Sequence, residues 1–235
     1  MRAGLYAGPT LQTDNEEVRL HVKVLVTGFE PFGGATINPA WEAVSRLPQE
    51  IAGAEVARVQ IPVAFGRDAA AVEAAIDAER PDLVLCVGQA GGRSHVTPEF
   101  VGINFANARI PDNDGNQPVG CLEPDGPDAY FATLPVFAMV DAARAAGVPA
   151  AVSYTAGTFC CNEVLYELLH CLALRHPGVR GGFVHVPYAA EQTLSMGEGT
   201  PSMSVDMMVA GLTAMIEAAL TGGDEAVRAG EGTEQ

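Results

Sequence analysis

The sequence predicts an α/β fold, a three-layer α/β/α sandwich around a largely parallel twisted sheet. Three observations lead there. Apolar runs at residues 22–26, 83–87 and 181–186 are near-continuous rather than alternating, as expected of strands covered on both faces. Between them lie stretches with apolar residues at helical spacing, so strands and helices alternate along the chain. The first two runs also lead into glycines and small residues, which gathers loops at the strands' carboxyl ends, where open α/β sheets bind ligands.

Residues 1–20 are polar and irregular and are expected to form a poorly ordered arm before a single domain over residues 21–220. The first strand carries Val22, Val24 and Val26 around Leu25 and ends at Gly28. Its loop, GFEPFGGATINPAW, presents Phe29, Phe32 and the paired turn residues Gly33 and Gly34. Asn38 and Pro39 then read as N-cap and first helical residue, opening a helix through Trp41, Val44 and Leu47. A strand over 55–61, a helix over 68–79 with Val72 and Ile76 one turn apart, and the strand over 83–87 follow. The PDNDGNQP run after Ile110 is rich in turn formers but lacks the distal bidentate glutamate of a calcium loop, so it is expected to be a tight structural loop.

Leu134, Phe137, Val140 and Ala143 space out the next helix, which should end before Gly147. Residues 151–156 read as a buried strand that breaks at Gly157 and delivers Cys161 to a helix start, with Val164, Leu165 and Leu168 on one stripe. The strand over 181–186 ends in His185, Val186 and Pro187, and a helix from about residue 203 carries Val209, Leu212, Ile216 and Leu220. Residues 221–235 are Gly-rich and charged and are expected to be disordered.

Composition excludes several classes of function. Thirteen Lys plus Arg against 29 Asp plus Glu give a formal charge of −16, which repels nucleic acid and anionic membranes. The single lysine, Lys23, is followed by valine, so neither a Walker-type phosphate loop nor a Schiff-base lysine motif is on offer. The five cysteines are Cys86, Cys121, Cys160, Cys161 and Cys171, an odd set without a CxxC pair, which argues against a disulfide framework. Residues 1–20 lack an apolar signal core, so a cytoplasmic protein is expected. The longest apolar run, residues 207–216, is broken by Gly211 and falls short of the ~20 residues a membrane span needs.

Within this frame few residues can carry chemistry. Cys161 sits where helix N-terminal amides and the helix dipole favour a thiolate, although the stretch by itself fits a buried inert cysteine pair equally well. A cysteine nucleophile needs a base and a group that orients it. Of His21, His95, His170, His176 and His185, only His185 ends a buried-looking strand, where it could equally be a satisfied core histidine. Glu99 lies between Pro98 and the apolar Phe100, Val101 and Ile103, placed either for a partly buried site or as an exposed loop carboxylate. A zinc site of Cys160, Cys161, His170 and Cys171 fails because ten residues of helix rotate Cys171 away from Cys161. No metal or cofactor is expected, and Cys160 reads as a small wall residue.

Taken together, TGFEPFGG (27–34), VGQAGGRSHVTPE with the following IN (87–104), ARIPDNDGNQP (108–118), AGTFCCN (156–162) and FVHVPY (183–188) resemble the pyroglutamyl-peptidase I family. The resemblance runs in order from about Lys23 to Leu220. It implies a cysteine exopeptidase that removes N-terminal pyroglutamate from peptides, with Glu99, Cys161 and His185 as catalytic residues and no cofactor. It further implies Phe29 and Phe32 on the faces of the lactam ring, Gln89 at its polar edge, Ile110 in the wall, Arg109 near the reacting carbonyl, and a homo-oligomer, dimer or tetramer. Asn38 matches a family position of open role. The chain departs from the family pattern at Phe100, Val101 and Gly102 after Glu99, and at Cys160, where an aliphatic residue is usual. A phosphorylase-like or nucleotide-binding protein is the rival enzyme reading, and a catalytically silent binding protein the third; the first needs a phosphate site that one lysine and no GxGxxG supply poorly.

Overall fold

β1 (Lys23–Phe29) is buried along six of its seven residues because both of its faces are covered, Val24 and Val26 by one helical layer and Leu25 and Phe29 by another. The computed structural model describes residues 22–222. The expected arm over residues 1–20 and the chain beyond Gly222 lie outside the described residues.

After β1 come α1 (Pro39–Val44), β2 (Glu50–Ile51), β3 (Ala54–Ile61), α2 (Arg67–Glu79), β4 (Leu83–Gln89) and β5 (Thr97–Pro98). Four short strands follow, β6 (Val101–Ile103), β7 (Ala106–Asn107), β8 (Val119–Gly120) and β9 (Ala129–Phe131), with β6 paired to β9 and β7 to β8. The chain closes with α3 (Val136–Ala145), α4 (Cys160–Arg175), β10 (Arg180–Val186), β11 (Tyr188–Ala189), a 3₁₀ turn (Ala190–Ser195), β12 (Ser202–Met203) and α5 (Val205–Thr221).

The main sheet has the order β2-β3-β1-β4-β10-β5; β3, β1, β4 and β10 run parallel, and the short edge strands β2 and β5 are antiparallel. Helices α1, α3 and α5 cover one face and α2 and α4 the other, which makes the expected three layers. From β1 the chain moves to β3 on one side, and from β4 to β10 on the other. The loops after β1 and β4 therefore diverge and leave a crevice between them. Asn38 caps α1 as its sequence predicts: Oδ1 accepts from Ala40 N at 3.0 Å and Nδ2 donates to the Glu30 carbonyl at 2.9 Å. The acidic turn also forms, with Asp112 accepting from the backbone N–H of Phe65, Asp114 and Asn116. Burial alone would raise this carboxyl's pKa, but those donors outweigh it and hold it below the usual range.

Several boundaries differ from expectation. Residues 151–156 do not form a strand; Ala150, just before them, bridges Val96, and Ser153 bridges Glu99, both as isolated bridges, and Tyr154 is exposed. The register is that of a parallel ladder, with Val96 N bonding Pro149 O, Ser153 N bonding Pro98 O and Phe100 N bonding Ser153 O. Pro98 has no N–H to supply the bond that would join the two bridges, so the ladder is interrupted there. Helix α4 begins at Cys160, three residues before the helical stripe declares itself at Glu163. Helix α1 stops at Val44, and buried Leu47 lies in the tight turns that follow. Thr221 and Gly222, assigned to the tail, are the last residue and C-cap of α5.

Candidate active site

Alternation along β10 sends Phe183 and His185 toward the layer of α2 and α4, while Val184 and Val186 face the opposite layer. On the neighbouring strand β4, Gly88 lies in register with His185. A Cβ at Gly88 would stand 2.9 Å from the Cys161 sulfur and 2.7 Å from the Phe183 ring, so the missing side chain is what lets the nucleophile candidate rest on the sheet beside His185.

The approach to α4 is set by local chain chemistry. Gly157 adopts φ +80°, and its N–H donates to Thr155 Oγ1 at 3.1 Å. Phe159 takes the N-cap position in extended conformation, which places Cys160 and Cys161 at the first two helical positions, where backbone N–H groups have no carbonyl one turn earlier. The Phe159 ring meets Phe65 edge-on at 5.3 Å and steadies the turn.

His185, 4% exposed, pairs through Nδ1 with Glu99 Oε1 at 2.7 Å. Glu99 is fully buried and follows β5, its N–H bonded to the Phe183 carbonyl at 2.9 Å. The same Oε1 accepts from Arg93 Nη1 at 2.6 Å; Arg93 also reaches Thr97 Oγ1 at 2.6 Å and the Thr155 carbonyl at 3.2 Å. Burial would raise the Glu99 pKa, but the hydrogen bond and charge of His185 and the charge of Arg93 bring it below the usual carboxylate range. Ionised Glu99 is an acceptor only, so Nδ1 of His185 carries a proton in either charge state, and in the neutral ring Nε2 is the free basic atom. The Cys161 thiol is pushed up, first by burial and then by the negative charges of Glu99 and Asp68, with Arg93 opposing. The resting sulfur is therefore a thiol, and its use as a nucleophile requires a neighbouring base.

Cys161 and His185 share a cavity of about 290 Å³ whose walls include Phe29, Phe32, Gln89 and Phe159. Asn38 and Cys160 reach its lining as well. Of the remaining residues that the sequence singles out, Arg109 is exposed and Ile110 half-buried, and both stand outside this lining. A larger cavity of about 530 Å³ between α2 and α4 is lined by Glu73, Glu123, Glu163 and Glu167, carboxylates that would oppose a thiolate.

Sequence reasoning passed over Arg93, whose only signal was being the one cation in the loop that follows the GQAGG turn. It also passed over Asp68 and Glu163. Their carboxylates and the Cys160 sulfur lie within 4.8 Å of one another and are buried. Burial, and next the Glu163 charge, push the Asp68 pKa to about 9. The shift favours a protonated Asp68 beside the Glu163 carboxylate at neutral pH.

A thiol at a helix N-terminus, an imidazole and a buried carboxylate around one crevice of a parallel sheet define the class of α/β cysteine hydrolases. The chain belongs to the pyroglutamyl peptidase family, whose sequence profile matches residues 22–222. It is 53% identical over 200 residues to the pyrrolidone-carboxylate peptidase of Enterococcus faecalis, covering 85% of this chain and 93% of that one. It is 52% identical over 198 residues to the protein of the same name from Levilactobacillus brevis, covering 84% and 97%. Among solved structures, pyroglutamyl peptidase I of Bacillus amyloliquefaciens superposes with a TM-score of 0.81 at 48% identity, covering 84% of this chain and 96% of that one. A mutant pyrrolidone carboxyl peptidase of Pyrococcus furiosus gives 0.81 at 39% identity, covering 86% and 99%.

Proposed function

We propose that the protein removes an N-terminal pyroglutamyl residue from peptides, with Cys161 as nucleophile, His185 as general base and acid, and Glu99 as the group that orients the imidazole. The observation that carries this reading is the chain of contacts from Arg93 through Glu99 to His185, beside a cysteine that opens into an aromatic-walled cavity. Nε2 of His185 takes the Cys161 proton as the sulfur attacks the pyroglutamyl carbonyl. The C–N bond breaks, the imidazolium protonates the departing amine, and water then hydrolyses the thioester to release pyroglutamate and regenerate the thiol. The developing oxyanion is met by the N–H groups of Cys160 and Cys161 at the start of α4, those of Asn162 and Glu163 being taken by the Phe159 carbonyl, a contribution of about 2.7–4 kcal/mol for each well-placed donor.

Phe29 and Phe32 enclose the faces of the lactam ring, and Gln89 meets its polar edge. The family resemblance gives Arg109 a place near the reacting carbonyl and Ile110 one in the wall, although neither residue belongs to the cavity lining. The phosphate-binding alternative finds no support, because Arg93, the one Arg or Lys of the cavity lining, is already committed to Glu99. A cytoplasmic setting belongs to the same proposal, supported by five free cysteines. Among the described residues no helix is long and apolar enough to cross a membrane. Self-association, which the resemblance implies, is tested by light scattering. The activity itself is tested by release of a reporter amine from a pyroglutamyl amide, with loss of release after alkylation by iodoacetamide; no release by the untreated protein would refute it.

A further inference from the structure

The 3₁₀ turn after β11 carries Gln192, which lies outside the Arg93–Glu99–His185 chain of contacts. Gln192 Oε1 accepts from the Ala189 backbone N–H at 2.9 Å, and Gln192 Nε2 approaches Gln89 Oε1 at 2.9 Å. These two contacts determine the orientation of both amides. A backbone N–H can only donate, so the Gln192 oxygen must face Ala189. Its amino group must then face Gln89, which in turn has to offer its oxygen. The Gln89 amino group is left to point elsewhere, and Gln89 lines the cavity that holds Cys161 and His185. Among the described residues no protein acceptor takes that amino group. The relay is also anchored to the sheet, because Gln89 lies in register with Val186, three residues before Ala189.

We propose that Gln192 is a positioning residue that fixes Gln89 as a hydrogen-bond donor to the ring carbonyl of the substrate, and so sets selectivity for a lactam over a plain pyrrolidine. The inference rests on the lactam-cavity reading above. An amide free to rotate by half a turn would present its carbonyl to the lactam carbonyl about as readily as its amino group, and two acceptors repel. Gln192 removes that choice without touching the substrate.

Gln192→Glu inverts the relay. One carboxylate oxygen still accepts from Ala189, but the other can only accept, so Gln89 turns to donate to it and presents its own oxygen to the cavity. Gln192→Met keeps the bulk and removes the constraint. The measurement is kcat/KM for a pyroglutamyl and a prolyl reporter amide in the three proteins, together with the rate of Cys161 alkylation. The pyroglutamyl value is expected to fall about 10- to 100-fold in Gln192→Glu, mainly through KM, and by less in Gln192→Met. The prolyl value and the alkylation rate should hold, since neither uses the ring carbonyl. An unchanged pyroglutamyl-to-prolyl ratio in both variants overturns the proposal, as does a parallel fall of both substrates and of alkylation, which would make Gln192 merely structural. Failure of the wild-type protein to cleave the pyroglutamyl amide would refute the underlying function instead.

Discussion

Replacing Asp68 by Asn tests the buried acid pair that lies beneath the nucleophile's helix. Asp68 is fully buried in the first turn of α2, and Glu163, 7% exposed in the first turn of α4, accepts from Gly66 N at 3.0 Å. Burial first, and then the Glu163 charge, raise the Asp68 pKa from 3.8 to about 9. A carboxyl whose folded pKa lies above its unfolded value binds more protons in the native state, so its contribution to stability is lost as pH rises from about 4 to about 9. At pH 7 roughly three pH units of this loss have accrued, and at about 1.36 kcal/mol each they amount to at most about 4 kcal/mol. Asparagine cannot ionise, its oxygen can keep the contact to Ala69 N, and its amino group can donate to Glu163 in place of the Asp68 proton. The variant should therefore gain on the wild type steadily with pH, by up to about 4 kcal/mol between pH 4 and pH 7. Urea unfolding followed by circular dichroism at half-unit pH intervals measures the difference, in which titrations of groups remote from Asp68 cancel and that of Glu163, which touches it, does not. Parallel stability–pH curves for the two proteins would refute the reading of a protonated Asp68.

Other outcomes follow from the site. Cys161→Ser should abolish turnover with the fold retained, whereas Cys160→Val should keep most activity; loss of activity in a folded Cys160→Val protein would identify the wrong sulfur. His185→Ala should be nearly as damaging as loss of the cysteine, with Glu99→Gln milder, because an amide still orients the ring but stabilises the imidazolium less. Alkylation rates against pH should show a higher apparent thiol pKa in His185→Ala, and an unchanged profile would count against the pairing of thiol and imidazole. Prolyl amides, which lack the ring carbonyl, and glutaminyl amides, which bring a charged ammonium into an apolar cavity, should be cleaved several orders of magnitude more slowly than pyroglutamyl amides. Comparable kcat/KM values for prolyl and pyroglutamyl substrates would remove the case for recognition of the lactam edge.

The sequence by itself determined the layers of the fold. Continuous apolar strands and a 3.6-residue stripe report burial directly, and the Asn38-Pro39 cap is a local contact between atoms two residues apart. It also pointed to Cys161, His185 and Glu99, through helix starts, strand ends and segments that resemble a known family. Only the tertiary structure decided that Glu99 and His185, 86 residues apart, meet at 2.7 Å, and that Arg93 holds the same carboxylate. The same is true of Gln192 and Gln89, 103 residues apart, and of the burial of Asp68 against Glu163. Periodicity reports which face of an element is covered but not which polar atom on a distant loop reaches it. The strand expected over residues 151–156 failed for a related reason: its ladder depended on a donor at Pro98, more than 50 positions earlier in the chain, and proline has none to give.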